Sequence, residues 1–86
     1  MSMVEANTYE VVVDGETETR HRVHMSQEYF RELCGGMVTH EWVLVQAFQF
    51  LLEHEANTQI LSEFDLRDIS RYFADFESVV KQRLNR

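Results

Sequence analysis

The chain has 86 residues, of which 44% are hydrophobic and 27% are charged, so it is long enough for one folded domain and too short for two. Its 15 acidic and 8 basic residues give a formal net charge of −7, which disfavours nucleic acid as a partner because phosphate binding depends on clustered Lys and Arg. One cysteine cannot form an internal disulfide, and no targeting or lipidation motif is recognisable, so we expect a cytoplasmic location.

The N-terminal residues 1–7 show no periodic pattern and are predicted to be a flexible tail. Residues 8–86 are predicted to form a single α+β domain, in which an N-terminal β-hairpin packs on a cluster of three or four helices. The strand patterns come first and the helix patterns follow, and this segregation argues against a parallel α/β sheet.

Two runs rich in Val, Thr and Tyr form the predicted hairpin, with Asp14-Gly15 between them. This dipeptide favours a hairpin turn because Gly accepts a positive φ without penalty. The first strand begins at Thr8, and the second is expected from about Thr17 to Met25. Since an isolated hairpin is only marginally stable, we expect its apolar face to lie on the helices, and its outer edge is a candidate homodimer contact.

The central helix is predicted within Thr39–Glu55, with Thr39 as its N-cap. This segment has 17 residues, nine of them with apolar side chains. Its polar residues Gln46, Gln49 and Glu53 form one narrow stripe. A helix that is apolar over most of its circumference is covered on several sides, so we place it at the centre of the core. With charged ends and this length, it is too short and too polar to span a membrane, which takes about 20 apolar residues.

Shorter helical segments flank the central helix. The first is predicted from Gln27 to Cys34, with Ser26 as its N-cap and Gly35-Gly36 as its stop. After the central helix, a short helical turn capped by Asn57 or Thr58 is expected to carry three residues inward: Ile60, Leu61 and Phe64.

The last helix is predicted to begin after Asp65, a good N-cap, and to continue towards the C-terminus. Its apolar positions recur at spacings of three and four residues: Leu66, Ile69, Phe73, Phe76, Val80 and Leu84.

No residue pattern indicates catalysis, a cofactor or a metal ion. Cys34 ends a helix instead of beginning one and has Glu32 close in sequence, so it lacks the cationic setting of a reactive thiolate, and we expect it to be buried. His21 and His24 are three positions apart on a strand and point to opposite faces, which prevents them from sharing a metal ion. A site that joins Cys34 to a distant histidine is the remaining catalytic alternative.

A pattern of short apolar runs extends from Phe48 to Glu77. Its parts are Phe50–Glu53, Ile60-Leu61, Phe64–Leu66, Ile69 and Tyr72-Phe73. This pattern resembles a family of small uncharacterised bacterial proteins without an assigned activity. In the family pattern a proline follows the Tyr-Phe pair, where this chain has Ala74, and alanine lets a helix continue. The matching positions are mostly apolar, so the resemblance implies a shared fold and supplies no catalytic residue.

The function that these observations favour is a non-enzymatic protein-interaction module, acting through its hairpin edge or acidic surface on a protein partner or on a second copy of itself. The candidate interaction surface is predicted from positions on the hairpin and the last helix: Glu10, Val12, Arg20, Arg22, Arg67 and Arg71.

The alternative is a nucleic-acid-associated regulator. Residues 66–86 hold five basic and three acidic residues, whereas residues 26–65 hold one basic and seven acidic residues. The basic residues concerned are Arg67, Arg71, Lys81, Arg83 and Arg86. Basic residues at a helix C-terminus also complement the helix dipole, so nucleic acid is the weaker hypothesis.

Overall fold

The computed structural model of the chain describes residues 2–36 and 38–84, with side chains described from residue 6 onwards. Within these residues, four strands and four helices form an α+β fold, which confirms the predicted class. In chain order the elements are β1 (Ser2–Glu5), β2 (Thr8–Val13), β3 (Thr19–His24), α1 (Gln27–Cys34), α2 (His40–His54), the 3-10 turn Asn57–Gln59, β4 (Glu63–Asp65), the 3-10 turn Leu66–Asp68, α3 (Ile69–Tyr72) and α4 (Phe76–Leu84).

The strands form one sheet in the order β1-β2-β3-β4, with β1, β2 and β3 antiparallel and β4 parallel to β3. The flexible tail predicted for residues 1–7 is therefore wrong for residues 2–5, which form β1, while Met1 lies outside the described residues. Asn7 makes this strand possible because its φ of 61° turns the chain back into β2, a conformation that Asn tolerates better than most residues. The Asn7 carbonyl also accepts a hydrogen bond from the Met25 N–H (2.8 Å).

The β2-β3 hairpin is confirmed, although its connection is longer than a two-residue turn. Val13 pairs with Thr19, so residues 14–18 form the loop. Gly15 does not adopt a positive φ there. Its lack of a side chain matters for another reason, because a Cβ atom would stand 3.1 Å from Asn57 Oδ1. The hairpin loop thus lies against the 3-10 turn at residues 57–59.

Helices α1 and α2 begin as the sequence predicts. The Ser26 hydroxyl accepts a hydrogen bond from the Tyr29 N–H (3.1 Å), and the Thr39 hydroxyl accepts one from the Trp42 N–H (3.1 Å). Helix α1 ends at Gly35, whose φ of 65° is the left-handed conformation that stops a helix.

Helix α2 lies in the core, as predicted, and packs against α1 and α4. Its Phe48 ring also reaches the sheet, with centroids 5.5 Å from His21. The predicted polar stripe is only partly correct. Gln46 is buried, since it lies on the side where α4 packs, whereas Trp42 and Leu52 are 45% and 43% exposed.

The prediction of one continuous last helix is wrong, because residues 73–75 are not helical and separate α3 from α4. Phe73 has an extended backbone (φ −128°, ψ 100°), and its ring packs edge-on against Phe50 with centroids 5.6 Å apart. Phe76, the first residue of α4, packs on the same ring at 5.3 Å. Two aromatic contacts to Phe50 thus stabilise the break, although Ala74 itself favours a helix.

Candidate functional site

Four of the six predicted surface residues lie on the open face of the sheet, on the side away from the core. Glu10 and Val12 of β2 and Arg20 and Arg22 of β3 alternate with buried residues. Arg20 Nη1 lies 3.3 Å from Glu10 Oε1, and Arg22 stands in register between Glu10 and Glu63 of β4. Acidic and basic residues on neighbouring strands therefore compensate one another on this face.

Part of each outer edge of the hairpin is paired within the chain, which narrows the predicted homodimer contact. β1 bonds to β2 along Thr8–Glu10, and β4 bonds to β3 along Arg22–His24. The Arg22 N–H, for example, donates to the Ser62 carbonyl at 2.7 Å. Backbone groups that are already bonded cannot pair with a second copy, so these stretches of the edge are not free for self-association. A homodimer contact through the rest of the hairpin edge stays a prediction.

The other two predicted residues, Arg67 and Arg71, lie in a separate place. Arg67 Nη2 is 3.7 Å from Glu32 Oε2 of α1, and its guanidinium lies over the Tyr29 ring, 4.9 Å from the centroid. Arg71 Nε is 3.8 Å from Asp68 Oδ1. The structure places these two residues in their own ion pairs instead of joining them to the sheet residues.

Carboxylates also interrupt the basic stretch near the C-terminus. Arg83 Nη2 donates to both carboxylate oxygens of Glu53, at 2.7 and 2.8 Å. This hydrogen bonding to Arg83 holds the pKa of Glu53 below its ordinary value. Lys81 is exposed, and Arg86 lies outside the described residues. Three of the five basic residues assigned to nucleic acid, Arg67, Arg71 and Arg83, are therefore each in a separate ion pair.

A groove that the sequence did not predict opens beside the C-terminal end of α2. Its volume is about 340 Å³, which falls within the range of binding pockets in proteins. Most of its lining is apolar, from Leu51, Ile60, Leu61, Phe64, Ile69, Tyr72 and Phe73. We call this feature the apolar groove.

Two apolar side chains at the groove are largely exposed: Leu61 by 57% and Tyr72 by 73%. The prediction that Leu61 points inward with Ile60 and Phe64 is wrong for Leu61. The backbone is extended at Ile60 (φ −73°, ψ 136°), so neighbouring side chains point in opposite directions, with Ile60 buried and Leu61 outside. The apolar surface of the groove consequently continues onto its rim.

Hydrogen bonds from the hairpin hold one wall of the groove in place. His21 is 2% exposed, and its Nδ1 lies 2.8 Å from the Leu61 carbonyl oxygen, while Nε2 lies 2.9 Å from Thr19 Oγ1. Because a carbonyl only accepts, Nδ1 carries the proton and donates to Leu61. Asn57 Nδ2 donates to the Thr17 carbonyl (2.8 Å) and to Thr19 Oγ1 (3.0 Å). These bonds fix the segment from Asn57 to Leu61 on the sheet.

The charged residues that line the groove are acidic. Glu55 and Asp68 both border it. Glu55 forms no ion pair with any residue that the structure describes, and Asp68 has only the 3.8 Å contact with the well-exposed Arg71. The groove thus combines an apolar lining with a negative rim.

The residues considered for catalysis or metal binding lie apart. Cys34 is buried, as predicted, and its thiol donates to the Phe30 carbonyl at 3.3 Å. His21 and His24 lie on opposite faces of the sheet, as predicted, with His24 Nε2 2.8 Å from Glu63 Oε2. Among the described side chains, no three His, Cys, Asp or Glu residues are grouped to hold a metal ion. Over residues 2–36 and 38–84, no helix combines the length and apolar composition needed to cross a bilayer.

No protein-family model, curated protein sequence or solved structure matches this chain. The resemblance to a family of small bacterial proteins therefore stays a prediction, and the candidate site rests on the geometry of the chain itself.

Proposed function

We propose that the protein is a non-enzymatic protein-interaction module whose apolar groove receives a short segment of a partner protein. The observation that carries this proposal is the exposed apolar surface of Leu61 and Tyr72 beside a groove of about 340 Å³. Contiguous apolar surface on a small protein marks a contact site, because it stays in unfavourable contact with water until a partner covers it.

The chemistry of the groove selects a segment with apolar side chains and at least one Lys or Arg. The apolar lining favours side chains such as Leu or Phe, and the carboxylates of Glu55 and Asp68 favour a neighbouring cation. The net charge of −7 adds a long-range attraction for a basic segment. An exposed Tyr at the rim suits this role, since Tyr residues often contribute much of the affinity at protein interfaces.

The nucleic-acid alternative receives less support from the geometry. Three of its basic residues face carboxylates, in the pairs Arg67 with Glu32, Arg71 with Asp68, and Arg83 with Glu53. A phosphate chain would have to compete with these carboxylates at each contact.

Two matched synthetic peptides test the proposal. One contains Leu, Ala and Lys, and in the other every Lys is replaced by Glu. We expect the Lys peptide alone to bind in titration calorimetry, and its affinity to fall as salt is added, because the rim charges are screened.

Single substitutions then locate the binding site. Leu61→Ser and Tyr72→Ser should each weaken binding of the Lys peptide by about tenfold, the equivalent of about 1.4 kcal/mol. Val12→Ser removes an exposed apolar side chain of the sheet face and should leave the affinity unchanged. Equal binding of both peptides, or a loss of affinity in Val12→Ser alone, would contradict the proposal.

A further inference from the structure

The outer side of β4 carries backbone groups that point away from the sheet. β4 is the last strand in the order β1-β2-β3-β4, and no described strand lies on its other side. The Arg22 N–H donates to the Ser62 carbonyl at 2.7 Å, and Arg22 is in register with Glu63. In a parallel ladder this arrangement directs the N–H and C=O of Phe64 towards β3, so those of Glu63 and Asp65 point outwards.

Three of these outward groups are not used elsewhere in the fold. The N–H and C=O of Glu63 and the N–H of Asp65 form no hydrogen bond with any residue among 2–36 and 38–84. The Asp65 C=O, by contrast, lies at the start of the 3-10 turn at residues 66–68. Open backbone groups at a sheet edge are a template on which an extended segment of another chain adds a strand.

The side chains of β4 give this edge an apolar side and an acidic side. Phe64 is buried on the helix side of the sheet and lines the apolar groove. Glu63 and Asp65 are exposed on the opposite side, because side chains alternate along a strand. Glu63 Oε2 lies 2.8 Å from His24 Nε2, and Asp65 Oδ1 accepts from the Arg67 N–H at 3.0 Å. The second oxygen of each carboxylate has no hydrogen bond with a described residue, so it is available to a cation.

We infer that the partner segment binds as a fifth strand, antiparallel beside β4, in which Lys or Arg residues alternate with apolar residues. This inference rests on the proposed function and adds the conformation and the sequence pattern of the segment. The residue opposite Glu63 exchanges both backbone hydrogen bonds with it, and its side chain lies on the acidic side of the sheet. The residues before and after it point to the helix side, where they enter the apolar groove beside Phe64.

Charge selects a basic segment over a second copy of the chain as the fifth strand. Two antiparallel copies of β4 would bring Glu63 and Asp65 of one copy next to the same carboxylates of the other, and like charges on paired strands are unfavourable. Each copy also carries a net charge of −7, which repels a second copy and attracts a basic segment. The antiparallel direction is favoured because parallel pairing is slightly less stable per residue.

Two peptides with equal numbers of Leu and Lys test the extended conformation. In one peptide the two residues alternate, and in the other Leu recurs at spacings of three and four, as on one face of a helix. We expect the alternating peptide to bind about tenfold more tightly in titration calorimetry. Equal or tighter binding of the helical pattern, at an affinity that Leu61→Ser lowers, would overturn the fifth strand and leave the apolar groove as the binding site. Absence of binding by both peptides would overturn both proposals.

N-methylation of the alternating peptide tests the direction of the strand. In the antiparallel arrangement the Lys amides point towards β4 and the Leu amides point away from it. Methyl groups on the Lys amides remove the donors and should weaken binding about tenfold, whereas methyl groups on the Leu amides should leave the affinity nearly unchanged. The reverse result would contradict the antiparallel direction, and equal losses would contradict strand addition altogether.

A proline at the edge tests the outward donor of the protein. Glu63→Pro removes the N–H that points outwards, which an edge strand tolerates, and Glu63→Ala removes the same carboxylate but keeps the N–H. We expect Glu63→Pro to weaken binding of the alternating peptide several-fold more than Glu63→Ala. Equal affinities of the two variants, with both shown to be folded by circular dichroism, would contradict the inference.

Amide hydrogen exchange in the unmodified protein gives the most direct readout. The N–H groups of Glu63 and Asp65 should exchange at least about tenfold more slowly when the alternating peptide is bound. The Phe64 N–H points towards β3 with and without peptide, so its protection should change little and it serves as the internal control. Unchanged exchange at Glu63 and Asp65, under a peptide that moves the Leu61 signal, would overturn the fifth strand without affecting the apolar groove.

Discussion

The open face of the sheet and the apolar groove are both exposed, but their side chains are satisfied in different ways. On the sheet, Arg20 lies against Glu10, and His24 lies against Glu63. In the groove, Leu61 exposes apolar surface that continues into an apolar lining. Exposed ion pairs interact well with water, whereas contiguous apolar surface does not. The difference shows that exposure alone does not identify a binding surface, because the chemistry of the exposed atoms also matters.

Substitutions at the floor and at the rim of the groove should differ most in their effect on stability. Phe64 is buried on the floor, with its ring 6.1 Å from Phe48, so Phe64→Ala should lower the free energy of unfolding by about 3–5 kcal/mol. Leu61→Ala at the exposed rim should change it by less than about 0.5 kcal/mol. Urea denaturation of the two variants measures both values. A large loss in Leu61→Ala would show that the rim serves folding instead of binding.

The hydrogen bonds behind the groove should have the next largest effect. His21→Leu replaces the buried imidazole by an apolar group of similar size. It removes the donor to the Leu61 carbonyl and leaves the Thr19 hydroxyl with Asn57 as its remaining partner. We expect a loss of about 1–3 kcal/mol in the free energy of unfolding, measured by urea denaturation. Binding of the Lys peptide should also weaken in the folded variant, since the wall at residues 57–61 loses the hydrogen bond that fixes its Leu61 end. Unchanged stability and affinity would contradict this role of His21.

Removal of a buried hydroxyl should have a smaller effect on the free energy of unfolding, and one of the opposite sign. Tyr29 is buried, and its hydroxyl has no hydrogen-bond partner among the described residues. Tyr29→Phe keeps the ring under Arg67 and should leave the stability unchanged or raise it by up to about 1 kcal/mol.

Tyr29 should also make the stability of the protein depend on pH. Burial, and then the charge of Glu77, raise the pKa of Tyr29 in the folded protein. Below the unfolded pKa of about 10, Tyr29 is neutral in both states and its ionisation does not lower the stability. Above that pH the hydroxyl ionises more readily in the unfolded chain, so the folded protein becomes less stable as the pH rises. The melting temperature of the wild type should fall more steeply above about pH 10 than that of Tyr29→Phe. Identical pH profiles for the two proteins would count against this account.

The ion pairs of the sheet face should have the smallest effect. Arg20 and Glu10 are well exposed, so Arg20→Ala should change the free energy of unfolding by about 0–1 kcal/mol, and less at high salt. Thermal denaturation at two salt concentrations measures this difference. A loss above about 2 kcal/mol would mean that Arg20 stabilises the fold by more than an exposed ion pair can.

Local rules predicted much of the helical part of the fold. Ser26 and Thr39 cap their helices because a hydroxyl in that position accepts from a free backbone N–H, and Gly35 ends α1 because it adopts a left-handed φ. The apolar composition of α2 correctly placed that helix in the core. These features depend on residues that are close in sequence.

The remaining features depend on contacts between distant residues. Asn7 was a usable signal for the turn after β1, since Asn accepts a positive φ, but the strand itself depends on its pairing with β2. The pairing of β4 with β3 and the break at Phe73, which the ring of Phe50 stabilises, have no local signature. The apolar groove exists only when all of these elements are in place, so no pattern in the sequence could have shown that Leu61 lies at its rim.

Mapping the Lys peptide onto the protein by nuclear magnetic resonance tests the central claim most directly. In a titration of isotope-labelled protein, we expect the backbone amide signals of Leu61, Ile69 and Tyr72 to move in proportion to the bound fraction. The signals of Arg20 and Arg22 on the sheet face should stay in place. Movement confined to the sheet face, with the groove signals unchanged, would contradict the assignment of the apolar groove as the binding site.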